Sequence, residues 1–451
     1  MADTITHETL HRTAKYFMDS GKAASAEDAL ALLDTFAVTV HIDDTTATTV
    51  HGQTALLSFV NLARRTFLGG VEVVGRLDVP TIGRLMPSMS LVDAVKALGG
   101  LAASSPTGGR PCIIIGDGSP GVAQPAWRLH WSGWSGGVIP AEWPAAPLDQ
   151  QAMALTPALA AAFAVSEAFA YFAGDHQLAG RRACGLCLWN FQADWLADNQ
   201  GPRLRFLPSR LWLLGLGNLG QAYAWSLATL PYRGDQSPEL VLQDFDHVGV
   251  SNDSTSLLSS PQLVGRKKTR AVADWLDDRG FTTVINELRF NSATKWSPDD
   301  PGVALCGVDN LLVRSQLDGA GFPLVVEAGL GAGPQAFRSI AIHTLPASRP
   351  SAEVWRDRAS GTKTFDPSSL PAYSSLKDKG LDDCGLAQLA SRTVGVPFVG
   401  LIAATMVIAE MLRRLHGGRG VEVASLSTLA PDAADQVRVD APVYAHGYVD
   451  V

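Results

Sequence analysis

Short apolar runs alternate with longer amphipathic stretches through both halves of the chain, the pattern of strands separated by helices. In the second half, Leu211-Trp212-Leu213-Leu214 reads as a buried strand. Gln221 to Leu230 then reads as a helix and Leu240-Val241-Leu242-Gln243 as the next strand. Val303 to Val308 and Leu324 to Val326 add further strands. The first half repeats the order. Val38-Thr39-Val40-His41-Ile42 precedes a polar stretch from Asp43 to Gln53, a helix from Thr54 to Arg65 and a strand from Val71 to Gly75. Cys112 to Ile115 and Trp127 to Trp131 continue it as strands, and an Ala-rich helix, Leu155 to Ala173, closes the half. This alternation predicts an α/β fold built on parallel sheets. A length of 451 residues exceeds one core and predicts two domains, residues 1–200 and 201–451.

Two apolar stretches, Leu155 to Ala173 and Val394 to Leu412, have the composition of membrane spans. Pro157 and Glu167 in the first, and Pro397 and Glu410 in the second, argue instead for core helices that cover a sheet. Residues 343–376, rich in Ser, Pro and Arg, read as a long crossover loop. The last thirty residues or so alternate apolar and polar positions, as in Val437-Arg438-Val439-Asp440, and predict a terminal hairpin.

Candidate chemistry lies at one strand-to-helix junction. Gly215-Leu216-Gly217-Asn218-Leu219-Gly220 follows the strand that ends at Leu214 and opens a helix, and Asp244 and Asp246 lie about two dozen residues beyond Gly220. The glycines let backbone approach a phosphate, and the helix N-terminus supplies free N–H groups and positive dipole. A dinucleotide would leave Lys268 and Asp309 without a duty. A triphosphate needs the extra positive charge of Lys268 and a magnesium ion, which Asp309 at the end of the 303–308 strand would hold. The plain structural alternatives are that Asp309 caps the next helix and that Arg314 pairs with it.

Taken in order, Gly215 to Gly220, Asp244-Phe245-Asp246, Ser251-Asn252, Gly265-Arg266-Lys267-Lys268 and Asp309-Asn310 with Arg314 resemble the ThiF/MoeB/HesA and ubiquitin-activating superfamily over residues 205–416. The resemblance implies two Rossmann-like adenylation domains, a degenerate N-terminal one over residues 1–200 and an active C-terminal one over 201–451. It implies that Gly215, Gly217, Asn218 and Gly220 cradle ATP, that Asp244 or Asp246 contacts ribose, and that Lys268 contacts phosphates. Asn252 and Asn310 join the nucleotide site, and Asp309 holds Mg2+. The activity implied is adenylation of the C-terminal carboxylate of a ubiquitin-like protein, with a thioester then formed on Cys384 in the crossover segment and passed to a separate conjugating enzyme. Similarity is greatest to the activating enzymes of bacterial ubiquitin-like conjugation operons, some of which serve antiphage defence. The pattern departs at Thr255, where the family has a phosphate-binding arginine; Arg266, Lys267 and Arg270 are the nearby bases. The family's inactive domain also lends an arginine, for which Arg12, Arg64 and Arg65 are candidates beside the reading that each is an ordinary surface residue. A relative that transfers sulfur or modifies a peptide without its own thioester is the alternative within the family. A non-catalytic nucleotide-fold scaffold is the alternative outside it.

Cysteine usage and charge narrow the picture further. Five cysteines and no leader-like N-terminus predict a reduced, cytoplasmic protein. Cys184-Gly185-Leu186-Cys187 has no second pair to complete a zinc site and reads as a turn with two small buried residues. Cys112 and Cys306 fall inside strand patterns, whereas Cys384 opens a helix after a polar stretch. A net charge of −8 excludes nucleic acid as the main partner; nothing points to a membrane, and a homodimer is compatible with the chain. Gly133-Trp134-Ser135-Gly136-Gly137 matches a nucleophile elbow but lacks the following helix. Gly329-Leu330-Gly331-Ala332-Gly333 meets Pro334 at once, against a second phosphate loop.

Overall fold

The computed structural model describes residues 5–118, 125–144, 146–197, 201–355 and 369–451. Seven strands form the first sheet: β1 (Ala37–Ile42), β2 (Gly70–Gly75), β3 (Leu101–Ala103), β4 (Cys112–Ile115), β5 (Ala126–Ser132), β6 (Ser135–Pro140) and β7 (Cys184–Cys187). β8 (Phe206–Pro208) pairs with β17 (Tyr448–Asp450) as a small ribbon. The second sheet holds β9 (Arg210–Leu214), β10 (Glu239–Gln243), β11 (Thr282–Asn286), β12 (Val303–Cys306), β13 (Leu324–Leu330), β14 (Ser339–Leu345), β15 (Gly420–Ser427) and β16 (Ala430–Val439). The helices are α1 (Ala14–Asp19), α2 (Ala26–Asp34), α3 (Val50–Ala63), α4 (Leu91–Ala97), α5 (Thr156–Ala173) and α6 (Asn218–Ala228). They continue with α7 (Lys268–Asp277), α8 (Leu311–Arg314), α9 (Leu317–Ala320), α10 (Pro371–Asp378), α11 (Asp383–Ser391) and α12 (Pro397–Leu415).

The two sheets share one topology. The first runs β3-β2-β1-β4-β5-β6-β7 and the second β11-β10-β9-β12-β13-β14-β15-β16. In each, the first five strands of the half are parallel and the later ones antiparallel. β4 and β12, central in their sheets, are buried at every position, as a strand covered on both faces requires. Chain order reverses between β1 and β4, and again between β9 and β12, which opens a crevice at the carboxyl ends of those strands. The α/β, doubly Rossmann-like reading of the sequence is what the chain adopts.

Helices α5 and α12 pack against each other, α5 also against α3 and α12 against α6, so the two halves share one core. Among the described residues α5 alone is long and apolar enough to cross a membrane by length and composition. It is mostly buried inside the protein, between the sheets. Both acids that argued against membrane insertion are paired. Glu167 meets Arg182 at 2.8 Å. Glu410 is fully buried, accepts from the Val421 N–H at 2.9 Å and pairs with Arg413 and Arg414. Arg413 in turn donates to the Leu188 carbonyl at 2.7 Å, across to the first half.

Several boundaries differ from the sequence reading. Helix α3 begins at Val50 rather than Thr54, because the Thr49 hydroxyl accepts from the Gly52 N–H and caps it four residues earlier. Cys184 and Cys187 lie in strand β7 rather than in a turn, and burial raises the Cys184 thiol pKa. The segment 343–376 is not all loop: its first three residues finish β14, residues 371–378 form α10, and residues 356–368 lie outside the described part. The terminal hairpin exists as β15 and β16, extending the second sheet. Ser135 is a buried strand residue in β6, so the nucleophile-elbow match carries no chemistry. Gly329 and Leu330 end β13, and residues 331–338 lead through turns into antiparallel β14 with no helix after the glycines, so there is no second phosphate loop.

Candidate active site

The glycine loop joins β9 to α6, and its three glycines have different reasons. Gly215 has φ +81°, a left-handed conformation that side chains resist. A Cβ on Gly220 would strike the Gly215 carbonyl, so the helix can approach the loop only with glycine there. Gly217 has nothing within 4 Å of where its Cβ would be and opens the loop outward. Asn218, the first residue of α6, donates through Nδ2 to the Val396 carbonyl at 3.3 Å.

Asp244, just past β10, is a brace for this loop. Its Oδ2 accepts from the Leu216 N–H at 2.7 Å and its Oδ1 from the Asp246 N–H at 2.8 Å. Asp246 is half-exposed and pairs with the Lys268 ammonium at 3.0 Å, at the start of α7. Asn252 follows in a short 3-10 turn, with its Oδ1 accepting from the Gly249 N–H at 2.8 Å. Asp309 lies just past β12 and is exposed. Capping of α8 falls to Asn310, whose Oδ1 accepts from the Leu312 and Val313 N–H groups at 2.9 and 3.2 Å. Asp309 is therefore not the cap. Asp244 and Asp246 follow the carboxyl end of β10 and Asp309 that of β12, the two strands that flank β9 and its glycine loop.

Arg314 is not a partner for Asp309. It turns under the sheet, donates to Glu327 at 2.7 Å and stacks 3.6 Å from the Trp355 ring centre. Nor do the bases near Thr255 face its place. Arg266 pairs with Asp274, Lys267 donates to the Phe245 carbonyl and Arg270 pairs with Glu287.

The three arginines of the first half are not ordinary surface residues. Arg64 makes two bonds to Asp253, at 2.8 and 3.2 Å. Buried Arg65 donates to the carbonyls of Ser256, Leu257 and Ser259. Between them they hold the turn that carries Asn252. Arg12 extends over the crevice: its N–H donates to the Ser254 hydroxyl at 3.1 Å and its guanidinium to the Thr393 carbonyl at 2.9 Å. Gly395 is wedged there, since a Cβ on it would lie 2.8 Å from Thr255 Cγ2 and 3.3 Å from Arg12 Cβ.

No sequence signal marked Gln221, which is buried and ties the loop to the next segment. Its Nε2 donates to the Leu216 carbonyl at 3.2 Å, and its Oε1 accepts from the Leu258 N–H at 2.8 Å. In the first half, the equivalent crevice is occupied by Asp43, which accepts from the N–H groups of Thr46 and Asp117 at 2.8 and 3.0 Å. Cys384 is exposed in the first turn of α11, which the Asp382 side chain caps by accepting from the Gly385 N–H.

The paired topology and this crevice go with one class, the bacterial E1-like proteins. The BilD N-terminal domain family matches residues 37–188 and the BilD C-terminal domain family residues 207–418. A bacterial E1-like protein BilD of Collimonas sp. (strain OK412) is 53% identical over 449 residues, covering 99% of this chain and 97% of that protein. The chain belongs to the bacterial E1-like BilD family. Among solved structures, E. coli MccB is 14% identical, with 51% of this chain and 63% of that one covered and a TM-score of 0.33. The chain thus spans less than two thirds of MccB's length. E. coli tRNA N6-threonylcarbamoyladenosine dehydratase, TcdA, is 16% identical, covering 46% of this chain and 85% of that one, with a TM-score of 0.31.

Proposed function

We propose that the second half of the chain binds ATP and adenylates the C-terminal carboxylate of a ubiquitin-like protein, and that Cys384 then takes the acyl group as a thioester. The observation that carries this is the gathering of the glycine loop, the Asp246–Lys268 pair, Asn252 and Asp309 around one crevice, with Arg12 from the first half above it. The first half has Asp43 across the equivalent crevice, which supports a supporting rather than a catalytic part for residues 1–200. The active unit on this reading is residues 201–451.

In the first step a substrate carboxylate oxygen attacks the α-phosphorus of ATP, the bond to the bridging oxygen breaks and pyrophosphate leaves. Little covalent work falls to the protein, so its part is positioning and charge neutralisation. Backbone N–H groups of the glycine loop and the N-terminus of α6 face the phosphates. Asp246 turns to the ribose as Lys268 leaves it for phosphate. Asp309 fits a magnesium ion: it is exposed and spared from capping. Among the described residues no group of three or more His, Cys, Asp or Glu gathers, so Asp309 is the residue that would hold such an ion. Magnesium there supplies neutralisation of phosphate charge. In the second step the Cys384 sulfur attacks the acyl carbon, AMP departs, and the thiol proton passes to solvent at this exposed site. A separate conjugating enzyme takes the acyl group next, and cytoplasmic conditions keep the thiol reduced.

The test compares wild type and Cys384→Ala with Mg·ATP and the ubiquitin-like protein on non-reducing gels. The expected result is a reducible adduct in wild type and none in Cys384→Ala, with pyrophosphate exchange retained in both. Exchange in both with no adduct in either removes the thioester step and leaves an enzyme that only adenylates.

A further inference from the structure

The segment between α11 and α12 is threaded through the site. Thr393 accepts from Arg12, Gly395 is pressed against Thr255, and the Val396 carbonyl accepts from Asn218 of the glycine loop. A Cβ on Gly400, in the first turn of α12, would collide with the Asn218 side chain. Residues 393–400 are thereby fixed across the crevice. Arg392 stands at the start of this threaded stretch, as the residue that ends α11.

Arg392 is exposed, and among the described residues neither it nor Arg12 forms an ion pair with a carboxylate. Like charges brought near one another repel, and an anion bound between them relieves that repulsion. Arg392 directly precedes Thr393, whose carbonyl and hydroxyl accept from the Arg12 guanidinium at 2.9 and 3.0 Å. Loss of solvent, then the charge of Arg392, lower the Arg12 guanidinium to about 10, while Asp309 and Asp19 act in the opposite direction. Arg12, Arg392 and Asp309 thus share one electrostatic neighbourhood above the glycine loop. The position that Thr255 leaves without a base is adjacent to it through Gly395.

Resting on the ATP reading above, we propose that Arg392 binds the outer phosphates of ATP together with Arg12, and so supplies the charge absent at Thr255. The geometry has a consequence for the crossover. Arg392 and Cys384 are the two ends of α11, eight residues or about 12 Å apart along the helix axis. Release of pyrophosphate removes the anion that holds one end of the helix whose other end bears the thiol.

Calorimetric titration of the full chain, with Mg·ATP and separately with AMP, tests this in wild type, Arg392→Ala and Arg392→Lys. Arg392 is exposed, so both variants are expected to melt as wild type does. A charged contact to phosphate corresponds to about a tenfold or larger change in affinity. Arg392→Ala is expected to bind ATP about tenfold more weakly with AMP affinity unchanged, and Arg392→Lys to recover part of the loss. Wild type and Arg392→Ala binding ATP equally overturns this inference alone. An equal loss for ATP and AMP also overturns it, since the residue then serves the fold. Wild type failing to bind ATP overturns the functional reading as well.

Discussion

Replacing Asp309 by alanine is expected to lower carboxylate adenylation by roughly 10²–10³-fold, the size of loss seen when one preorganised charge-stabilising group is removed. Stability should not change. Asp309 is exposed, and Asn310, not Asp309, caps α8. The neighbouring change is the control: Asn310→Ala should cost about 1 kcal/mol of stability as a lost cap, with a far smaller effect on rate. Pyrophosphate exchange and urea denaturation on both variants check the pair. An Asp309→Ala protein that loses stability along with activity would contradict the separation of roles.

The largest structural effect is expected at Glu410. Its carboxylate is fully buried between Arg413, Arg414 and the Val421 N–H, and Arg413 is fully buried with it. Glu410→Ala leaves the Arg413 charge without a carboxylate inside the core, a loss of about 3–5 kcal/mol. Joint replacement, Glu410→Met with Arg413→Met, should recover much of it, because a well-packed apolar pair removes the uncompensated charge. Urea midpoints of the single and double variants measure this. A double variant no more stable than Glu410→Ala would show that the Arg413 bond to the Leu188 carbonyl, which joins the halves, outweighs the charge.

What was legible in the sequence was local. The glycine loop could be read because Gly215 needs a positive φ and Gly220 needs space, both properties of a short segment. Asp244, Lys268 and Asp309 were legible because parallel strands end at one crevice whatever else the chain does. The misreadings involve partners far apart in sequence. Arg64 and Asp253 are 189 residues apart, and Arg12 and Thr393 are 381 apart. No periodicity reports such pairs, and an arginine that crosses between halves looks in sequence like one on the surface. The alternative that Arg314 pairs with Asp309 rested on their nearness in the chain, yet its partner is Glu327 of β13. The Cys184–Cys187 spacing suggested a turn, but β7 continues through both because it extends an existing sheet edge at β6.

Adenylation at this crevice is tested most directly by ATP–pyrophosphate exchange with wild type and Lys268→Ala, using a ubiquitin-like protein that carries either its native C-terminus or an amidated one. Exchange that requires both Lys268 and the free carboxylate is the predicted result. Exchange that proceeds equally with the amidated protein, or none with either while the protein still binds, would contradict adenylation at this crevice.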